Sequence, residues 1–249
     1  MSNRQPLVTR HRKVIYRDGD KLIKQLNNSY SDTNVFNEAF NLACVRDSGI
    51  RSPQLLEVVK IDGQWSLVMG YIEGETLSDL TLKNPDDFNK YLQQFVDIQL
   101  EMHKHSAPRL RSWHEKMHGK ITASGLEKSI RFELHTRLDS LPRATDLCHG
   151  DFNPTNVIID PNGNWHIIDW AHATRGHAAA DAARTYLIFS LKGKEELAGR
   201  YLDCFCAAVG TSRQFVQRWM PIVAASQLVK AKPEEREMLS RWASVVEYN

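Results

Sequence analysis

Two rhythms of apolar and polar residues divide this chain. Over the first 70 residues or so, short β-prone runs are punctuated by tight turns. Lys13-Val14-Ile15-Tyr16-Arg17 and Lys21-Leu22-Ile23-Lys24-Gln25-Leu26 flank Asp18-Gly19-Asp20, and Asp-Gly between two such runs predicts a hairpin. Leu55 to Lys60 and Trp65 to Met69, separated by Asp62-Gly63, predict a second strand pair. Between the pairs, Phe36, Ala39, Phe40 and Ala43 recur at helical spacing over residues 34–45, with Asp32 or Thr33 placed to cap the start.

Beyond Asn84-Pro85 the helical period takes over. Phe88, Tyr91, Leu92, Phe95, Gln99 and Met102 trace one face of a helix over 86–105, with Gln99 its polar exception. Ser124-Gly125-Leu126-Glu127 reads as a capping box opening a helix that runs to about Leu138. Helical stretches are also predicted near 194–209, 212–229 and 233–246, the last two parted at Lys232-Pro233. The segment 105–122, with Trp113, His114 and His118, is polar, and its histidines fit no strong metal-ligand pattern. Inside this helical half, Val157-Ile158-Ile159-Asp160 and Trp165-His166-Ile167-Ile168 surround the turn Pro161-Asn162-Gly163-Asn164, which predicts one more hairpin. A small antiparallel sheet followed by a mainly helical part makes the fold class α+β.

Composition narrows the function classes. A formal charge of +2 argues against general nucleic-acid binding. No apolar run approaches the roughly 18 residues of a membrane span, and Met1 to Pro6 lacks the apolar core of a secretion signal. Four cysteines, at 44, 148, 204 and 206, form no Cys-x-x-Cys pair; Cys204 and Cys206 read as packing residues, and a reducing, cytoplasmic compartment is expected.

The chemistry concentrates in His149-Gly150-Asp151-Phe152-Asn153-Pro154-Thr155-Asn156 and Ile167-Ile168-Asp169. A carboxylate, a carboxamide five residues on and a second carboxylate thirteen further suit phosphoryl transfer from a magnesium-bound nucleotide to a hydroxyl. Asp151 can accept the hydroxyl proton, and Asn156 and Asp169 can hold a hard cation through oxygen. The hairpin between them explains the spacing, because it returns Asp169 to the neighbourhood of Asn156. Singly, each of these residues could merely end a turn or a strand.

This set resembles the catalytic and metal-binding segments of the aminoglycoside phosphotransferase and choline kinase-like enzymes, small-molecule relatives of the protein kinases. Gly150 stands where protein kinases carry Arg, and Trp170 where they carry Phe; Thr155 stands where the small-molecule branch often has Gly. The resemblance implies a two-lobed protein-kinase-like fold, with a nucleotide-binding lobe over 1–72 and a catalytic and acceptor-binding lobe over 73–249. It implies ATP or GTP and Mg2+, bound in a cleft, and a small-molecule hydroxyl acceptor such as an amino alcohol, a sugar or an aminoglycoside. By resemblance Lys24 grips the nucleotide phosphates, paired with Glu38 on the helix. Met69, Tyr71, Ile72 and Ile168 contact the nucleotide, with backbone from Gly70 to Ile72 facing the base. His149 braces the catalytic loop, and His103 is structural. Asp181, in Ala180-Asp181-Ala182-Ala183, caps a helix and steadies the same loop.

One family feature is missing. A glycine-bearing turn usually covers the phosphates, yet residues 1 to 18 contain no glycine. Residues 1–26 carry seven Lys or Arg against two Asp. Arg10 or Arg12, in Thr9-Arg10-His11-Arg12, could supply charge in place of backbone amides, or the segment could be an unstructured basic tail. From Trp170 to Asn249, 11 Lys or Arg stand against 8 Asp or Glu, which does not suit a polycationic acceptor. A protein kinase, and a nucleotide-binding regulator with little turnover, are the competing readings.

Overall fold

The computed structural model describes residues 5–10 and 12–244, and of Arg10 the backbone only. The Arg10 side chain, a candidate for phosphate contact, and its neighbour His11 lie outside the described residues. The fold is protein-kinase-like, an antiparallel sheet followed by a mostly helical part. The chain divides into two compact units, 1–87 with 154–172 and 88–153 with 173–249. The hairpin 154–172 belongs to the first unit, its first strand pairing with Glu75 and Thr76.

In the first unit, β1 (Gln5–Arg10), β2 (Lys13–Asp18) and β3 (Lys21–Leu26) form a meander. Residues 5–10 are therefore sheet rather than tail. Helix α1 (Asp32–Asp47) follows, then β4 (Leu55–Ile61) and β5 (Gln64–Gly70), giving the sheet order β1-β2-β3-β5-β4. The cap of α1 is Ser31, in a reciprocal box with Asn34, not Asp32 or Thr33. Its buried face is Val35, Glu38, Ala39 and Leu42, so the helix is turned from the expected stripe; Phe36, Phe40 and Ala43 are exposed. Phe36 packs edge-on against Trp65 at 5.2 Å, which accounts for an aromatic at the surface.

Short β6 (Glu75–Thr76) and α2 (Leu77–Lys83) complete the amino-terminal stretch. Before β6, Gly74 has φ +143°, and a Cβ there would lie 2.2 Å from the Ile159 carbonyl oxygen. Only glycine lets the chain pass so close to the hairpin.

Helix α3 (Phe88–His103) opens the second unit, after a 3-10 turn at Pro85–Asp87. Helix α4 (Trp113–Thr122) lies in the polar segment for which no element was expected, its buried face built from Trp113, His114, Met117 and Ile121. The expected capping box at Ser124 is absent. The Ser124 hydroxyl donates to Ile121 O at the end of α4, and α5 (Lys128–Ser140) starts without a side-chain cap. Next come β7 (Asp146–Cys148), the first-unit hairpin β8 (Val157–Ile159) and β9 (Trp165–Ile167), and β10 (Thr174–Gly176), which pairs with β7.

Helices α6 (Ala178–Leu191) and α7 (Glu195–Val209) are followed by α8 (Arg213–Gln217) and α9 (Met220–Leu228), so the stretch expected at 212–229 is broken before Pro221. The last helix is α10 (Arg236–Ala243). An aromatic core fills this unit: Phe95 stacks on Phe152 at 4.5 Å and meets Tyr201 and Phe189. All four cysteines are free, three of them buried.

Candidate active site

In the first unit, the hairpin β8–β9 brings the second carboxylate back as its spacing predicted. Val157 pairs with Ile167 and Ile159 with Trp165. The Ile168 N–H then donates to Asn156 O at 2.9 Å, setting Asp169 one residue from the Asn156 backbone. Asp169 has φ +63°, a left-handed conformation uncommon for a non-glycine residue. The strand end before it and Trp170 after it hold that conformation. Trp170 is buried, and its indole N–H donates to Ile167 O at 2.9 Å. Asn41 on α1 donates to the carbonyls of Trp170 and Ala171.

Lys24, on the central strand β3, is 5% exposed and donates to Glu38 and, at 2.9 Å, to Asp169 Oδ1. Glu38 belongs to the buried apolar face of α1, so it serves Lys24 rather than solvent. Lys13, at the start of β2, donates to Asp169 Oδ2 at 3.0 Å. Burial opposes charge on all three groups, but ion pairing decides two of them. Asp169 and Glu38 keep the Lys24 pKa above its ordinary value despite desolvation. Lys24 and Lys13 hold Asp169 well below the usual carboxylate range. For Lys13, burial and the nearby Lys24 prevail over Asp169 and lower its pKa.

Lys13 was missed in the sequence, although the turn carried the signal. Pairing Asp18 with Lys21 places Ile15 opposite Lys24, and Lys13, two residues away, shares their face.

The expected base-contacting residues are placed less uniformly. Met69 is buried on β5 between Leu22 and Leu55. Tyr71, Ile72 and Ile168 are half-buried. The Arg17 guanidinium lies 4.0 Å from the Tyr71 ring centre, and the Tyr71 N–H donates to Asp20 O. The Gly70 N–H donates to Gln54 O. Two of the three amides expected to face the base therefore donate to backbone carbonyls that border the strands.

In the second unit, the loop from His149 to Asn153 is pinned to one face of α6. Asp181 Oδ1 accepts the Gly150 N–H at 2.7 Å, Arg184 Nε donates to Gly150 O at 3.3 Å, and Thr185 Oγ1 donates to Phe152 O at 3.0 Å. Residues i, i+3 and i+4 of a helix share a face, so three anchors come from one turn. Gly150 has φ +76°, which suits glycine where protein kinases carry Arg. His149 is buried, and its Nδ1 accepts the Asp151 N–H at 3.2 Å.

Asp181 does not cap α6; the His177 side chain does. The other Asp181 oxygen faces His103 Nε2 at 3.2 Å and Gln99 Nε2 at 3.3 Å. That explains Gln99 in an apolar stripe, and it gives His103 its structural place. Burial favours a neutral Asp181, but the hydrogen bonds from His103 and the Gly150 N–H hold its pKa below the ordinary value.

Among the described residues, no three His, Cys, Asp or Glu side chains are grouped to cage a metal. A carboxylate and a carboxamide are what Mg2+ needs when nucleotide phosphates and water complete its octahedron, so the donor set fits that ion.

A profile of the phosphotransferase enzyme family matches residues 12–219. The chain belongs to that family. It is a kinase-type phosphotransferase. No curated protein matches the sequence. Among solved structures, a thermostable mutant of the aminoglycoside phosphotransferase APH(4)-Ia aligns with TM-score 0.69 at 15% identity, covering 97% of this chain and 91% of that one. The same enzyme was solved as a ternary complex with AMP-PNP and hygromycin B. A choline/ethanolamine kinase family protein from Mesorhizobium loti aligns with TM-score 0.65 at 16% identity, covering 99% and 89%. Choline kinase LicA from Streptococcus pneumoniae aligns with TM-score 0.61 at 15% identity, covering 95% and 89%. These neighbours share the fold. No described helix is long and apolar enough to cross a membrane.

Proposed function

We propose that the protein moves the terminal phosphoryl group of ATP, or of GTP in its place, to a hydroxyl of a small molecule, with magnesium as the accompanying ion. The observation that carries this reading is the charged cluster of Lys24, Glu38 and Asp169 beside Asn156, in a chain of the phosphotransferase enzyme family. The nucleotide-binding part is assigned to 1–72, and the catalytic and acceptor-binding part to 73–249.

Lys24, aligned by Glu38, grips the nucleotide phosphates as a point charge, and Lys13 adds a second from the glycine-free β1–β2 pair. Met69, Tyr71, Ile72 and Ile168 hold the base. Because the Tyr71 N–H is committed to Asp20, the backbone donor to the base is assigned to Ile72. Asn156 and Asp169 would hold magnesium, which neutralises charge on the phosphates. Asp151 orients the acceptor hydroxyl and accepts its proton; His149 and Asp181 keep the loop in place.

A protein acceptor has little support. Only eight residues, 170 to 177, separate Asp169 from α6, leaving no long segment to dock a peptide. The test is incubation with ATP or GTP labelled in the terminal phosphoryl group, with magnesium and a panel of small hydroxyl compounds beside a mixture of proteins. Label in a small molecule is expected. Label confined to protein, or transfer to nothing from either nucleotide, overturns the proposal.

A further inference from the structure

The helices around Asp151 bring together more cationic side chains than phosphoryl transfer requires. Arg111 precedes α4, Lys116 and Lys120 lie on it, Arg184 lies on α6, and Lys230 follows α9. Helix α9 packs against both α4 and α6, which gathers the five. Lys116 is repelled by Lys120, Lys230, Arg184 and Arg111. Lys230 and Arg184 are each attracted by Asp151 and Glu235, and Arg184 also by Asp181. Of these carboxylates, Asp181 is taken by the Gly150 N–H, His103 and Gln99, while Glu235 accepts from the Lys232 N–H and Gln227. Asp151 thus attracts Lys230 and Arg184, and both of these repel Lys116.

Two observations give this surplus a use. Desolvation first, then mutual repulsion, lowers the Lys116 pKa to about 7 and that of Lys230 to about 8. Yet Lys230 is exposed, and Lys116, Lys120 and Arg184 are half-buried. These ammonium groups are crowded by protein yet still reached by water. Independently, Arg184 Nε bonds the loop while its Nη1 is buried with no hydrogen-bond partner. A buried guanidinium N–H without an acceptor is unfavourable, and an oxyanion would supply one.

We propose that the acceptor is a hydroxyl compound bearing an anionic group, a carboxylate or a phosphate, and that Lys116, Lys230 and Arg184 bind this group while Asp151 receives the hydroxyl. The proposal rests on the phosphotransferase reading of Asp151. A polycation such as an aminoglycoside would meet like charge here.

The test uses four probes that share a primary hydroxyl: glycerate, glycerol 3-phosphate, glycerol and ethanolamine. Binding is measured calorimetrically on the full chain with saturating AMP-PNP and magnesium, so that nucleotide phosphates are already placed. Repeating it in buffers of different ionisation enthalpy counts protons. At least one anionic probe is expected to bind 10-fold or more tighter than glycerol and ethanolamine, with proton uptake as the ammonium groups charge fully. The tighter of glycerate and glycerol 3-phosphate names the anionic group. Lys116→Gln with Lys230→Gln should abolish both the preference and the uptake, whereas Lys230→Arg should keep the preference.

Equal or tighter binding of ethanolamine or glycerol overturns the inference. So does an anion preference that survives in the folded double variant. If the anion preference holds but no phosphoryl transfer occurs, the reading of Asp151 falls alone. If ethanolamine is phosphorylated without any anion preference, the anion site falls alone.

Discussion

Asp169 and Asp151 are held in opposite ways. Asp169 is fixed through its side chain, each oxygen on a lysine, at a backbone angle few non-glycine residues adopt. Asp151 is fixed through its neighbours' backbone, with Gly150 and Phe152 tied to one turn of α6. The first arrangement suits a group whose work is electrostatic: the lysines that hold the carboxylate are the ones proposed to bind the nucleotide phosphates. The second positions the loop through main-chain groups on either side of the carboxylate, which sets the direction of a proton acceptor. Charge should therefore govern the first site, and loop geometry the second.

Breaking that contrast gives graded expectations. Asp151→Asn keeps the shape but not the base, and turnover should fall about 100-fold or more with nucleotide affinity largely retained; steady-state kinetics with equilibrium nucleotide binding separates the two. An unchanged rate would remove Asp151 from the chemistry. Asp181→Ala leaves the Gly150 N–H and the Gln99 and His103 side chains without their shared acceptor. It should cost about 3 kcal/mol in stability and roughly 10-fold in turnover, read by denaturant unfolding and kinetics. A drop in stability with full turnover would show that the loop does not depend on α6.

Asp169→Ala should weaken magnesium-dependent nucleotide binding by roughly 10-fold, about 1.4 kcal/mol, while binding without magnesium falls less. Equal losses in both would assign Asp169 to structure alone. Lys13→Met should raise the nucleotide KM several-fold, on the order of 1 kcal/mol, with a smaller change in turnover; an unaltered KM would confine Lys13 to its ion pair.

The mildest effect is in acid. Asp169 has a folded pKa below its unfolded value of about 3.9, so its pairing stabilises the fold above that pH and is lost as pH falls through the depressed folded value. The Tm difference between the protein and Asp169→Asn should be constant from neutral pH to about 5 and should shrink below about 4. A difference that does not vary down to pH 2 would contradict the pairing.

Much of the site was legible because turns fix register. The Asp18-Gly19-Asp20 and Pro161 to Asn164 turns set which residues of β2–β3 and β8–β9 face each other, and so placed Lys24 and returned Asp169 toward Asn156. Lys13 followed from the same register and was overlooked. Helix faces were harder to read. On α1 the side buried is set by what covers it, and two aromatics lie at the surface while Glu38 goes in. The α4 segment reads as polar because its apolar face is interrupted by His114 and rimmed by lysines. The Ser124 box failed because a hydroxyl can close the helix before it as readily as open the next.

By itself, the sequence determined the α+β order of elements, the hairpin that carries Asn156 toward Asp169, and a loop centred on Asp151, since each depends on local turn chemistry and short-range spacing. Tertiary structure alone decided that Lys13 shares Asp169 with Lys24, that Asp181, Arg184 and Thr185 anchor one loop, and that cations from α4, α6 and the end of α9 gather near Asp151. Those arrangements depend on which faces of distant elements pack together. No local propensity encodes that choice, because it is made by burial summed over the whole core.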